Sequence, residues 1–526
     1  MMSTVIAALP IIILIWLMTK RDPLPSYIAL PAMALLTGFL QLVYFRADWQ
    51  LVAANSLAGG LSVATPISII AGAILLNRLL AISGAEATIK SWLESISSNP
   101  VAQLMIIGWA FAFMIEGASG FGTPAAIAAP LLVGLGFAPL KVVVFTLILN
   151  SVPVSFGAVG TPTWFGFSSL NLVPEQILAI SQWTALCHVV AAMVIVPIAL
   201  RFVLSAEVIR RNGIYIYLSI FSCVLPYWWI AQWNYEFPSL LGGAIGLVLS
   251  VVFAKFNIGL STADKQITHS VNISCKTLLI ALSPLLLLMI VLLLTRIQQL
   301  GIKDWLNNDS AWLAADLSFA QVQLSAALII SLQDIFATGV SWSYKTLYVP
   351  AIIPFVLVVA VCLPLLKMNA KQVKQMCNET AQRIALPCVS LLGALIMVNF
   401  MMLGEHNAPI FYMAQSFAQL SGENWTLFAA FLGALGTFFS GSATVSNLTF
   451  AGIQYSIAQQ VGLPTTLILA LQSVGAAMGN MVCISNIIAV ASIVGLNNQE
   501  GVVIKKTVLP MLIYAAIIGI FSYVFF

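Results

Sequence analysis

Apolar runs separated by short polar breaks recur along the whole chain, as in "VIAALPIIILIWLM" (5–18), "LLIALSPLLLLMIVLLL" (278–294) and "PAIIPFVLVVAVCLPLL" (350–366). Such runs extend for about 15 to 24 residues, and a helix needs roughly 20 to cross the hydrocarbon of a bilayer. The pattern predicts an all-α polytopic membrane protein with about 12 to 14 transmembrane helices. Two segments compete for one crossing. Residues 348–366 read as a span, whereas "FAQVQLSAALIISLQDI" (319–335) carries Gln321, Gln323, Gln333 and Asp334 and reads as an interfacial or re-entrant helix.

One run breaks differently. "LMIIGWAFAFMI" leads straight into "EGASGFGTP" (116–124), placing an acid and three glycines where a span should continue. An approximate repeat accompanies it. Glu116 opens "EGASGFGTPAAIAAPLLVGLGFAPL" and Gly441 opens "GSATVSNLTFAGIQYSIAQQVGLPT", each followed 23 residues later by a proline, Pro139 or Pro464. A further helix with a mid-helix amide, Asn150 or Gln472, follows each copy and ends in a small-residue break, "FGAVGTP" (156–162) or "VGAAMGN" (474–480). Paired discontinuous helices in repeated halves mark the central site of transporters. The expected organisation is an N-terminal half (1–260) with the first broken-helix motif at 116–162, connecting spans and loops (261–380), and a C-terminal half (381–526) with the second motif at 440–486.

Composition narrows the function. Of 526 residues 61% are hydrophobic and 7% charged, against roughly 25% charged in soluble domains, so no long polar stretch remains for a soluble catalytic domain. The net charge of +4 comes from basic residues spread over short loops, which excludes the basic face that nucleic acid requires. Positive-inside reasoning puts Lys20 and Arg21, "RFVLSAEVIRR" and "KMNAKQVKQMCNETAQR" in the cytoplasm and the N-terminus outside, in the periplasm. The first run has its basic residues after it and reads as a retained helix, not a cleaved signal. Seven cysteines without a C-x-x-C spacing read as small core residues, giving neither a disulfide framework nor a metal site.

Irregular backbone survives at membrane depth only when buried in protein or lining a wet cavity, so the four breaks belong together around a site. Small residues there expose backbone N–H groups, and a half-helix N-terminus adds positive partial charge, so an anion can bind without Lys or Arg. In the first half the candidate substrate positions are Gly117, Ser119, Gly120, Gly122, Thr123, Asn150, Ser155 and Thr161. In the second they are Ser440, Ser442, Thr444, Ser446, Asn447, Gln472 and Asn480. Thr163 is a further short donor. The alternative reading of these residues is close helix packing.

Glu116 stands apart, because an acid within a span is costly and marks a functional site by default. An anion about 6 Å from ionised Glu116 would be repelled by roughly 2.8 kcal/mol at an effective dielectric near 20, a factor of about one hundred in affinity. The anion therefore binds best when Glu116 is protonated, and proton and anion travel together. His188 is a second candidate for proton coupling, the alternative being a hydrogen-bonded helix-interface histidine. Arg78 either snorkels to the cytoplasmic surface or contacts substrate. Glu405 and His406 read as a solvated loop pair or an outer gate. No nucleophile, triad or ligand spacing supports an enzyme, and no cofactor is expected.

"EGASGFGTPAAIAAPLLVGLGFAPL", "LNSVPVSFGAVGTP", "FSGSATVSNLTFAGIQ" and "LQSVGAAMGNMVCISNIIAVASIVGL" together resemble the bacterial lactate permease family, which includes lactate and glycolate permeases. The similarity extends over most of the chain. It implies an inner-membrane carrier that takes up small 2-hydroxymonocarboxylates with protons, with inverted repeats and re-entrant hairpins. The better-known members have an Asp in the G-S-D-T segment and a Lys in the G-K-M segment, where this chain has Ala443 and Asn480. Replacing both partners of a buried pair can be neutral where losing one is not. Another small carboxylate, sodium coupling and, more remotely, an anion channel remain open on the residues alone.

Overall fold

The computed structural model describes residues 2–20, 24–120, 123–262, 274–296, 300–349, 351–404, 407–496 and 499–525. Gly122, Arg21, Glu405 and His406 lie outside the described residues. Helices dominate. Among the described residues ten helices are long and apolar enough to cross a membrane, or eleven when one bent pair is counted as a span, and Met2–Leu14, Ala351–Leu365 and Trp425–Phe438 are shorter apolar helices. The chain divides into two compact units, Met1–Glu86 with Leu279–Leu420, and Ala87–Leu278 with Ser421–Phe526.

In the first unit the Ser26–Val43 and Ala370–Met402 helices lie side by side. Gly393 meets the backbone of Leu30 and Pro31 with no room for a Cβ, and Gln41 Nε2 donates to the carbonyls of Phe400 and Leu403, satisfying an amide that would otherwise be stranded in an apolar interface. Arg78 is held by side-chain partners within the first unit. Its Nη1 pairs with Glu379 Oε2 at 3.3 Å and its Nη2 donates to Asn77 Oδ1 at 2.8 Å.

Residues 319–335 correct the sequence reading. They are not helical but belong to a four-stranded antiparallel meander, β1 (Ala311–Leu317), β2 (Ala320–Ser325), β3 (Ile329–Gln333) and β4 (Trp342–Lys345), in the order β1-β2-β3-β4. The physical reason is the alternation in "AQVQLS". Successive side chains of a strand point to opposite faces, so Gln321 and Gln323 fall on one face and Ala320, Val322 and Leu324 on the other. The pairings Leu313↔Leu324, Val322↔Leu332 and Leu332↔Trp342 continue the apolar face across the sheet, while Gln323↔Ser331 and Ser331↔Ser343 continue the polar one. At the β4 end the apolar face is covered: Leu332 and Trp342 pack with Ala54 and Ala58 of the Trp49–Ser62 helix. Residues 351–365 are helical, as expected of the competing span.

The second unit holds both broken-helix motifs. Pro100–Ser119 is buried along its whole length and includes a π-helical stretch, Leu104–Phe111. After the break come Thr123–Gly134 and, from Pro139, the Pro139–Asn150 helix. The chain then bends by 59° into the residues from Val154 onward, where Ala158, Val159 and Gly160 are left-handed (φ 43°, 58° and 70°). The second motif runs in parallel: Trp425–Ser440, a left-handed Gly441 (φ 73°), Ala443–Val461, and Thr465–Gly479 starting after Pro464. Its last break comes later than expected. Residues 474–479 stay helical, and the interruption falls at Asn480–Cys483. Gly475 and Gly479 serve packing there, since each meets the backbone of the Trp425–Ser440 helix, at Ala430 and Ala434.

Candidate functional site

Glu116 is the last-turn residue of the Ala112–Ser119 helix and is 2% exposed. Two neighbours place its carboxyl group. Asn150 Nδ2 donates to Oε2 at 3.3 Å, and Gly157 faces Oε1 so closely that a Cβ there would collide with it. The second motif supplies the opposite wall. Gly441 in its left-handed turn ends one helix, and Ser442 caps the next by accepting from Val445 N through its side chain. The 19-residue Ala443–Val461 helix thus presents its N-terminus to the break.

These pieces enclose one cavity. Glu116, Gly120, Val154, Gly157, Ala158 and Pro162 line it from the first motif, and Gly441, Ser442, Ala443, Thr444 and Asn480 from the second. About 20 Å³ is open to the centre of a water-sized sphere, room for roughly one water. Among these lining residues Glu116 is the only one that ionises. Ala443 and Asn480, where the resemblance leads one to expect an Asp and a Lys, both line this space.

Of the expected substrate positions, Gly120, Ser442, Thr444 and Asn480 line the cavity with Glu116. Gly122 lies outside the described residues, and the Thr123 side chain is likewise not described. The others are brought close but are already engaged. Ser119 Oγ donates to Ile115 O, Thr161 Oγ1 to Ala158 O and Ser440 Oγ to Gly436 O. Gly117 packs against the backbone of Ser239 and Leu240. Ser446 Oγ donates to Gly433 O, and Asn447 Nδ2 reaches Pro162 O at 2.9 Å, tying the two motifs together. Gln472 Nε2 lies within hydrogen-bonding distance of Ser446 Oγ (3.2 Å) and Asn447 Oδ1 (3.3 Å), while its Oε1 accepts from Gln454 Nε2. Asn150 Oδ1, by contrast, is buried and has no protein partner among the described residues.

A second buried polar group adjoins the first motif. Ser155 Oγ lies 2.9 Å from His188 Nε2 and donates to Ser473 O, and His188 Nδ1 meets the Tyr514 hydroxyl at 2.5 Å. Both ring nitrogens are therefore occupied by hydroxyls, as in a histidine that joins helices. Replacing His188 with Gln should leave the ratio of pH-driven accumulation unchanged. It should cost about 1 to 3 kcal/mol of stability by leaving the buried Tyr514 hydroxyl short of a partner, read as earlier thermal unfolding in detergent. A collapsed ratio with unaltered stability would place His188 on the proton path.

Sequence reasoning placed the 156–162 break and Gly441 around the site without singling out Gly157, Ala158 or Pro162, and it missed Val154 as a lining residue and Gln454, Ser473 and Tyr514 as partners. Gln454 carried a usable signal, because it is an amide inside an apolar helix 18 residues before Gln472. Val154 and Ala158 carried none, since they contribute position rather than polar chemistry.

Comparison with known proteins identifies the family. Residues 3–526 match the family model described as L-lactate permease. The chain is 52% identical to the "Putative L-lactate permease" of Haemophilus influenzae, over 98% of this chain and 97% of that one. It is 26% identical to the L-lactate permease of Escherichia coli K12, over 99% and 95% of the two chains. With the glycolate permease GlcA of the same organism it shares 26% identity over 86% and 83%. Among solved structures, the YdaH transporter of Alcanivorax borkumensis aligns over 98% of both chains at 14% identity and a TM-score of 0.45. The chain is a multi-pass membrane protein and belongs to the L-lactate permease family.

Proposed function

We propose that this protein imports L-lactate, and with it glycolate and D-lactate, by proton symport across the bacterial inner membrane, with its N-terminus in the periplasm. The observation that carries the reading is the meeting of one ionisable group, Glu116, with the N-terminus of the Ala443–Val461 helix in a single cavity. That N-terminus attracts the carboxylate through the N–H groups of its first turn and the helix dipole, and Ser442, Thr444 and Asn480 offer short polar groups beside it. Glu116 supplies the coupling. Ionised, it repels the incoming anion; protonated, it tolerates it. The order of events is therefore proton first, anion second, then movement of the walls. Family membership supports the substrate class, since the named relatives are L-lactate and glycolate permeases.

The test is uptake of labelled L-lactate into proteoliposomes with an imposed pH gradient, with D-lactate, glycolate, pyruvate and acetate as competitors. Concentrative uptake, inhibited more strongly by the 2-hydroxy acids than by acetate, is the expected result. Uptake that follows a sodium gradient and ignores pH would overturn the coupling. Flux that never exceeds the imposed lactate gradient would point to a channel instead.

A further inference from the structure

The β-sheet of the first unit plays no part in this mechanism, and its apolar face is only half covered. At the β4 end that face packs on Ala54 and Ala58. At the β1 end it is bare: Leu313 is 56%, Leu317 48% and neighbouring Ile330 41% exposed, and the bulged Trp312 beside them is 70% exposed. The opposite face is polar and lines an open depression with Gln323, Ser331, Gln333, Ser343 and Lys345. A two-sided sheet of this kind needs an apolar partner on one side only.

The chain itself limits where that partner can be. β4 ends at Lys345 and the apolar Ala351–Leu365 helix starts six residues later, a span of about 20 Å at most. On the sheet's covered side, the Trp49–Ser62 helix places Val52 against Phe400 and Leu403, at the C-terminal end of the membrane-length Ala370–Met402 helix. The sheet therefore stands level with helix ends, where hydrocarbon gives way to headgroups. Deeper placement is excluded, because the outer edge of β1 presents backbone groups that hydrocarbon cannot satisfy. Tryptophan is enriched at that boundary, which suits Trp312.

We propose that the bare half of the apolar face, centred on Leu313 and Leu317, rests in the interfacial layer of the bilayer, so that the meander is a lipid-seated platform with its glutamine and serine face turned to water. Lipid covers the apolar side chains left exposed among the described residues, and the polar depression on the other face stays hydrated.

The experiment uses the full-length protein in liposomes, with spin labels on single cysteines introduced by Leu317→Cys, Ala315→Cys or Ser343→Cys after the exposed Cys275 and Cys377 are changed to Ser. Collision with oxygen, which concentrates in lipid, is compared with collision with a water-soluble nickel chelate. The oxygen-to-nickel ratio should be several-fold higher at 317 and 315 than at 343. A ratio at 317 and 315 equal to that at 343 would place the face in water. Protection from both reagents would mean that protein, a second copy included, covers it. Either result overturns the proposal, and neither depends on transport activity.

Discussion

Glu116→Gln should abolish the accumulation of L-lactate driven by a pH gradient while leaving exchange of labelled for unlabelled lactate intact. Glutamine is close in shape to a protonated glutamate, and its carbonyl oxygen can still accept from Asn150 Nδ2, so the broken helix keeps its buried contact. What it loses is the ability to become an anion. With one coupled proton, one unit of pH can hold about tenfold accumulation, since a tenfold proton ratio stores about 1.4 kcal/mol. The wild type should approach that ratio and the variant should equilibrate near one. A variant that still accumulates like the wild type would remove Glu116 from the coupling step.

The second large effect concerns Gly117. A Cβ at this position would fall on the backbone N and Cα of Leu240, at the start of the Pro238–Lys255 helix. Backbone cannot swing aside as a side chain can. Ser239 Oγ is also fixed there by its 2.6 Å bond to Pro153 O, so the helix cannot retreat without breaking that contact. Gly117→Ala should therefore cost about 3 kcal/mol through overpacking, seen as a sharp loss of folded carrier in detergent. Gly501→Ala is the control. Gly501 has open space around its Cβ position, and alanine in a helix is favoured over glycine by about 0.5 to 1 kcal/mol. Equal behaviour of the two variants would show that the Gly117 approach is not a constraint.

The membrane architecture and the position of the first break were legible because both rest on strong local signals: apolar length, and an acid beside glycines. Pairing of the second break with the first was legible through the repeated spacing to Pro139 and Pro464. Two things were not. Residues 319–335 of the meander were read as helical because their glutamines drew attention as interfacial groups, although the spacing of two residues between Gln321 and Gln323 is the strand period. The break placed at 474–480 moved to 480–483 because glycine in a membrane helix serves close packing as readily as interruption, and only the neighbouring backbone of Ala430 and Ala434 decides which. The engagement of the hydroxyls was not legible either. Ser119, Thr161 and Ser440 return their donors to nearby carbonyls, a local choice that residue type alone does not reveal.

That Glu116 alone ionises among the described lining residues has an electrical consequence. When Glu116 is ionised and the site empty, the cavity carries one negative charge. With Glu116 protonated and a lactate bound, it again carries one. Under the proposed proton symport these are the two forms that cross, so a full cycle would move no net charge. A membrane potential of 100 mV, worth about 2.3 kcal/mol for each charge carried, should then neither drive nor oppose lactate uptake. The chemical proton gradient alone would set how far the cell can fill.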